Sequence, residues 1–486
     1  MLSPTHAPRQ PLLAVQRWLV PAALMTLSGA VLFASFLKSD LTRNDYERFD
    51  DPRLLLLFLA LFAGLSWTYV TAYMQRHPFS PRAIATAVLV SSLLLLASFP
   101  VGSKDIFNYS FFGKLWGLYH SSPYVVTMAD VPADPWQPYV QTRWRTVPAL
   151  YGPLFLWQAR AIYALSGERL WMAVWLHKGA ATVLLLASLW LAHVILRNTT
   201  PDSSRGHWLL VLLAWNPLLL FESAGGGHND IAMVLLLLGA LEGWRRRRFT
   251  LAFGLLALSI WYKWYGLIFV PAFLLETFKV AGWRTAARQA AWWLAATLLA
   301  GVVFLSPLPG SWRVIVRELM HPTAMSGIFP AELSPPLAAL FWSLKALGLF
   351  GTAWGLRLFD ATRFALFVIA VALVLVRQWR AIPSTATSSD CYAPLSALVE
   401  SCCLLGCAFF LLLIAMSFPW HLLTVVACAI LCGREPFLGL AAVLTVLALL
   451  SYFVTFTGAA VLLGLVLGVF WLMERLRQVI RSERAL

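Results

Sequence analysis

Apolar runs close to the roughly 20 residues that a helix needs to cross a bilayer recur from one end of this 486-residue chain to the other. Lipid offers no partner to backbone N–H and C=O groups, so such runs must close their own hydrogen bonds as helices. The fold class read from this is an all-α polytopic membrane protein, one integral domain over residues 1–486. A chain that is 60% hydrophobic and only 12% charged has too few polar groups to cover a water-soluble globule of this size. Candidate spans fall at about 16–37, 54–74, 83–100, 169–196, 206–222, 230–244, 249–262, 264–278, 286–306, 360–379, 396–416, 421–434, 436–453 and 457–476. That makes about 14 transmembrane helices, within a range of about 12–16.

The net charge of +15 does not point to nucleic acid, because the basic residues are dispersed over short connections between apolar runs. Gln75 to Arg82, Arg197 to Arg205, Arg245 to Arg248, Lys279 to Arg288, Arg377 to Arg380 and the tail Arg475 to Arg484 are expected to face the cytoplasm. A multi-pass membrane protein with both termini cytoplasmic follows. The segments 101–168 and 307–358 then form long outer loops. The first is rich in proline and aromatic residues and is expected to hold interfacial helices that cap a cavity. The six cysteines all fall in the last hundred residues and read as small core residues. No His, Cys, Asp or Glu spacing suggests a metal set, and no cofactor is expected.

Several spans are too short to cover a core about 30 Å thick, so their ends are expected to meet below the outer surface. The polar junctions there are Gly225-Gly226-Gly227-His228-Asn229-Asp230, Tyr262-Lys263-Trp264 and Pro419-Trp420-His421. Ionisable groups are costly at membrane depth and are functional candidates by default. Asp105 opens the first outer loop and has two readings, a charge at a helix start or a general base oriented by Tyr109, Lys104 and Lys114. Asp130 and Asp134, among prolines, read as turn residues. Asn229 or Asp230 would cap the following helix, while His228 beside three glycines would touch substrate. Lys263 is either a snorkelling lysine or a cation for a lipid phosphate, and His421 beside Trp420 either serves similarly or belongs to the interfacial aromatic belt. His177, Lys178 and Glu222 read as structural polar contacts.

The ordered motifs Asp105-Ile106-Phe107-Asn108-Tyr109, Gly113, Ser122-Pro123-Tyr124, Tyr151-Gly152-Pro153-Leu154, Trp215-Asn216-Pro217-Leu218, His228-Asn229-Asp230 and Lys263 resemble those of bacterial polyprenyl-phosphate-mannose-dependent mannosyltransferases. The resemblance covers about residues 95–275, with an echo at Pro419-Trp420-His421. Ser122 and Ala149-Leu150 depart from the family pattern. It implies a GT-C fold, an active site on the extracytoplasmic side, a polyprenyl-phosphate-sugar donor and inversion at the anomeric carbon.

In that chemistry an acceptor hydroxyl attacks the sugar while polyprenyl phosphate leaves from the opposite face, so one base and one anion stabiliser are needed in line. Asp105 is the expected base. Lys263, His228, His421, Tyr109, Tyr151, Asn229, Asp230, Trp420 and Arg145 are the expected donor-phosphate or substrate contacts, with Arg143 as an alternative to Arg145. The expected partners are the donor lipid, a glycan or glycolipid acceptor and membrane lipids, with no nucleic acid. The rival reading, a polytopic transporter or lipid-linked sugar flippase, predicts helix breaks repeated in two halves, and no such internal symmetry is visible.

Overall fold

The computed structural model describes residues 10–37, 51–76, 79–320, 333–349, 353–381, 392–414, 418–454 and 458, and these are helical with no strand among them. The helices are α1 (Gln10–Leu37), α2 (Pro52–Gln75), α3 (Pro81–Ala97), α4 (Asp105–Gly117), α5 (Pro153–Ser166), α6 (Leu170–Thr199), α7 (Ser203–Ala214), α8 (Pro217–Leu220), α9 (Asp230–Arg245), α10 (Phe249–Tyr262), α11 (Val270–Leu305), α12 (Ser311–Met320), α13 (Pro335–Ala346), α14 (Ala353–Arg380), α15 (Tyr392–Ala408), α16 (Leu423–Cys432) and α17 (Glu435–Leu450). The predicted last span, the basic tail, Cys391 and the stretch 321–332 of the second outer segment lie outside the described residues.

Their boundaries follow local chemistry. Asp51, Ser80 and Asp202 cap α2, α3 and α7 by accepting from Arg53, Ala83 and Ser204 N–H groups. Asn216 stops α7, because Pro217 cannot continue its ladder. The Asn216 side chain accepts from the Leu218 and Leu219 N–H groups and donates to Thr445 Oγ1 at 2.8 Å. The chain bends by 45° there and then widens into a π turn over Phe221–Gly225. Within α11, Gly282 adopts φ 78°, ψ 169°, which divides the stretch where two spans were expected.

By length and composition, six described helices can cross a membrane, or seven if the bent pair counts as one. The apolar helices α3, α10 and α17, and α16 with its leading turn, are shorter. α10, with 14 residues, rises about 21 Å and α16, with 10, about 15 Å, well under a 30 Å core. α9 packs against α10 and α16 at the centre with α6 and α7 around them, while α1–α3, α14, α15 and α17 flank this core. α4 and α5 pair with each other and sit on α6.

α4 differs from the surface-lying helix expected in the first loop. Every residue from Ile106 to Trp116 is buried, where an interfacial helix would show one polar face. The segments 101–168 and 307–358 meet at Ser122 and Ser311, whose hydroxyls lie 2.7 Å apart, so the unusual Ser122 has a structural role. Four of the basic connections come together at the opposite end. There Arg76 pairs with Glu435, the Arg205 guanidinium donates to the Gly433 carbonyl, Lys279 donates to the Gln378 and Ala381 carbonyls, and Arg377 and Arg434 share Glu400. The five described cysteines carry free thiols, and four are buried.

Candidate active site

Asp105 stands in the first turn of α4, its own N–H donating to Ser103 Oγ at 3.1 Å, with Lys104 as the capping residue. The N-terminal end of the helix dipole favours a negative charge there. One helical face carries Asp105, Asn108, Tyr109 and Phe112, the i, i+3, i+4, i+7 pattern, and brings them to the same side. Tyr151 reaches this face from the loop and donates to Asp105 Oδ2 at 3.4 Å, with the Tyr109 hydroxyl 3.5 Å from its own. Burial, then the charge of Asp105, pushes the Tyr151 phenol well above its ordinary range. Burial, then Tyr151, does the same to Tyr109. Both therefore stay protonated and act as donors.

The position of Tyr151 depends on its neighbour. Gly152 N–H donates to the Tyr262 carbonyl at 3.1 Å, and a Cβ at Gly152 would come within 2.1 Å of the Trp261 carbonyl oxygen. Only glycine lets the loop approach the end of α10 so closely. That contact sets Tyr151 beside Lys263, whose ammonium lies 5.4 Å from the Tyr151 ring. Lys263 is extended (φ −151°, ψ 124°) between α10 and the next turn, and its Nζ donates to Asp230 Oδ2 at 2.6 Å. The Lys263 side chain is 12% exposed and that of Asp230 is wholly buried. Lys263 therefore is no snorkelling lysine: it neutralises a buried carboxylate and still faces the cavity.

The third wall is the turn Pro419–Leu422. Trp420 is stacked between His228 (3.9 Å, 11°) and Phe418 (4.7 Å, 11°), and His421 lies over Phe410 at 5.5 Å. A cavity of about 250 Å³ opens between these walls, lined by Asp105, Tyr151, Lys263, Trp420 and His421 among others. Tyr109, His228, Asn229 and Asp230 stand behind that lining. Asn229 is at the capping position of α9 but makes no side-chain cap, and its buried amide has no hydrogen-bond partner among the described residues.

Arg145 does not line the cavity. Its guanidinium donates twice to the Val140 carbonyl, at 3.1 Å each, and so braces the loop. Lys114 also belongs elsewhere, because its buried ammonium lies 2.7 Å from Asp134 and 2.8 Å from Glu168, over the Trp136 ring. Asp134 is more than a turn residue, since it also accepts from the Tyr119 hydroxyl at 2.7 Å. Burial and that bond push the Tyr119 phenol up to about 12. Asp130 keeps its turn role, and the Thr127 N–H and hydroxyl hold its carboxyl below the usual range. Lys178 is structural as expected, closing α3 through the Leu95 and Ser98 carbonyls. Sequence reasoning missed Trp144, Tyr265, Phe409 and Phe418 as lining residues. Asn108 and Phe112 could have been found from the helical period that starts at Asp105.

The family model described as alpha-(1->6)-mannopyranosyltransferase, N-terminal domain, matches residues 20–279, more than half of the chain. An alpha-(1->6)-mannopyranosyltransferase of Mycobacterium tuberculosis is 32% identical over 152 residues, 31% of this chain and 25% of that protein. Alpha-(1->6)-mannopyranosyltransferase A of Corynebacterium glutamicum is 26% identical over 179 residues, 36% of this chain and 35% of that protein. The chain thus spans about a quarter to a third of the length of these curated relatives. The family match includes Asp105, Tyr151, His228 and Lys263, whereas Trp420 and His421 lie beyond it.

Proposed function

This chain belongs to the alpha-(1->6)-mannopyranosyltransferase family, and on that premise we propose that it is an inverting glycosyltransferase of GT-C type with about 14 membrane helices. It moves a hexose, mannose by its relatives' names, from a polyprenyl-phosphate donor to a lipid- or glycan-linked acceptor on the extracytoplasmic face of the inner membrane. The observation that carries this reading is the single cavity with the Asp105 carboxylate on one wall and the Lys263 ammonium on another. The segments 101–168 and 307–358 act as its outer cap.

The acceptor hydroxyl gives its proton to the Asp105 carboxylate as its oxygen attacks the anomeric carbon. The bond from that carbon to the phosphate oxygen breaks on the opposite face, and negative charge grows on the leaving polyprenyl phosphate. Lys263 and His421 meet that charge, which strengthens their contacts as the reaction proceeds and so speeds it. Trp420, both faces covered by His228 and Phe418, offers its ring edge to the sugar. A flippase would need a path between this cavity and the opposite, basic end of the bundle. The buried side chains of Ile231, Val234, Leu238, Val426 and Ile430 favour the transferase reading, because they fill the bundle along α9 and α16.

Mass spectrometry of glycolipids from cells with and without the gene tests the reading. Loss of one hexose from a glycolipid, restored by the wild-type chain, is expected. Asp105→Asn should insert normally yet transfer at least about 100-fold more slowly. Restoration at the wild-type rate by Asp105→Asn would reduce Asp105 to a helix-start charge.

A further inference from the structure

A line of polar side chains runs from the cavity into the bundle, and the transfer chemistry does not use its far end. The Tyr151 hydroxyl donates to Asp105 Oδ2 at 3.4 Å and lies 3.5 Å from the Tyr109 hydroxyl. The Tyr109 hydroxyl is 3.4 Å from His228 Nδ1. His228 Nε2 lies 3.4 Å from Glu222 Oε2 without the alignment of a hydrogen bond, and neither atom has a hydrogen-bond partner among the described residues. The Tyr452 hydroxyl closes the line by donating to Glu222 Oε1 at 2.8 Å. Glu222 is wholly buried and sits in the π turn Phe221–Gly225, a distortion that often marks functional positions.

We propose that Glu222 is a positioning residue that, through His228, Tyr109 and Tyr151, sets the direction of the hydrogen-bond line ending on Asp105 and thereby the basicity of that carboxylate. The inference rests on the reading of Asp105 as the general base. Each phenol has one proton to give. While Glu222 accepts from His228 Nε2–H, the Nδ1 lone pair is bare and takes the Tyr109 proton. The Tyr109 oxygen then competes with Asp105 for the Tyr151 proton, and Asp105 keeps its basicity. With the imidazole proton on Nδ1 the line reverses: Nδ1–H donates to Tyr109, Tyr109 to Tyr151, and Tyr151 fully to Asp105. A carboxylate held by a full hydrogen bond is the weaker base. Contacts of 3.4–3.5 Å are long for hydrogen bonds, and such contacts commonly tighten when substrate fills the site.

Other titratable groups surround the line. Lys104 precedes Asp105, the Lys263–Asp230 pair and His421 stand at the cavity, His177 lies 5.9 Å from the Tyr109 ring, and Lys178 packs near Gly227. They form a background shared by wild type and variants.

Glu222→Gln separates the two directions. Tyr452 donates at the Oε1 position, so the amide oxygen takes that place and the amide NH2 faces His228 Nε2, which forces the proton to Nδ1. The acid limb of the kcat/KM profile should move about one unit lower, and the plateau should fall about ten-fold with little change in donor KM. Tyr109→Phe cuts the line, so Glu222→Gln placed on top of it should add nothing. Tyr452→Phe leaves Glu222 wholly to His228 and should move the limb the opposite way, which keeps the test open if Glu222→Gln misfolds. An unmoved limb in Glu222→Gln, or effects that simply add with Tyr109→Phe, overturns the proposal while the general-base reading stands. Wild-type transfer by Asp105→Asn overturns both.

Discussion

The two ends of the bundle use the same ion-pair chemistry to different ends. At the basic end Arg76 meets Glu435 at 2.9 Å with side chains 59% and 51% exposed. At the other end Lys263 meets Asp230 at 2.6 Å with exposures of 12% and 0%. Water screens the first pair, which is worth at most about 1 kcal/mol. Breaking the second leaves a charge stranded in the core, at a cost of about 3–5 kcal/mol. The basic end also holds the larger cavity, about 630 Å³, lined by Arg205, Arg377 and Arg434 against Asp202, Glu276 and Glu400. Its charges balance, and its arginines already hold Gly433 or Glu400. Size therefore does not identify the site. A cavity where a carboxylate and a cation face one space from different helices does.

Lys263→Met gives the largest expected effect, because it orphans Asp230 and removes the cation facing the cavity. Thermal unfolding in detergent should show a loss of about 3–5 kcal/mol, together with a steep loss of transfer. Adding Asp230→Asn should recover much of the stability and none of the transfer. Recovery of both would mean that Lys263 only neutralises Asp230, and the contrast between the ends would narrow to burial alone.

Gly152→Ala comes next. Its Cβ meets the Trp261 carbonyl, which is backbone and cannot swing aside, so the loop must lift from α10 and carry Tyr151 away from Lys263. A stability loss of about 1–3 kcal/mol is expected. Transfer should fall about ten-fold or more, because misplacement of about 1 Å is costly in an aligned site. Unchanged kinetics would show that Tyr151 is not held by this contact.

Arg76→Ala should cost under about 1 kcal/mol and leave transfer untouched. A larger effect would place a buried network at the basic end and remove the distinction drawn above. The smallest effect concerns Glu168 at the end of the 101–168 segment. Burial alone would raise its carboxyl, yet the Lys114 ammonium and the Tyr163 hydroxyl hold it below the ordinary range. A depressed folded-state pKa stabilises at pH above the ordinary glutamate range, and that stability is lost as pH falls through the folded value. Melting curves taken through that window should show a small acid-side loss for wild type that is missing in Glu168→Gln.

Much of the site was legible because charge in an apolar run is rare and costly. Asp105, Lys263, His421 and Trp420 all line one cavity although more than three hundred residues separate the first from the last. Gly152 and the Asn216-Pro217 break were visible as motifs, and their close approach and capping gave them physical meaning. Lys114 was misread, although nine residues at 100° each put it on the face of α4 opposite Asp105. Arg145 was misread because a guanidinium in a loop serves a carbonyl as readily as a phosphate.

By itself the sequence determined the solvent, the all-helical architecture, the helix stops and which charges had to be explained, because these follow from local hydrophobicity and backbone hydrogen bonding. Only the tertiary structure decided that Lys263 belongs to Asp230, that Trp420 lies flat between His228 and Phe418, and that Glu222 faces His228 from a π turn. Two of those pairings, Lys263 with Asp230 and Trp420 with His228, join residues 33 and 192 positions apart. Packing of short helices sets such distances, and no local propensity records which ends will meet.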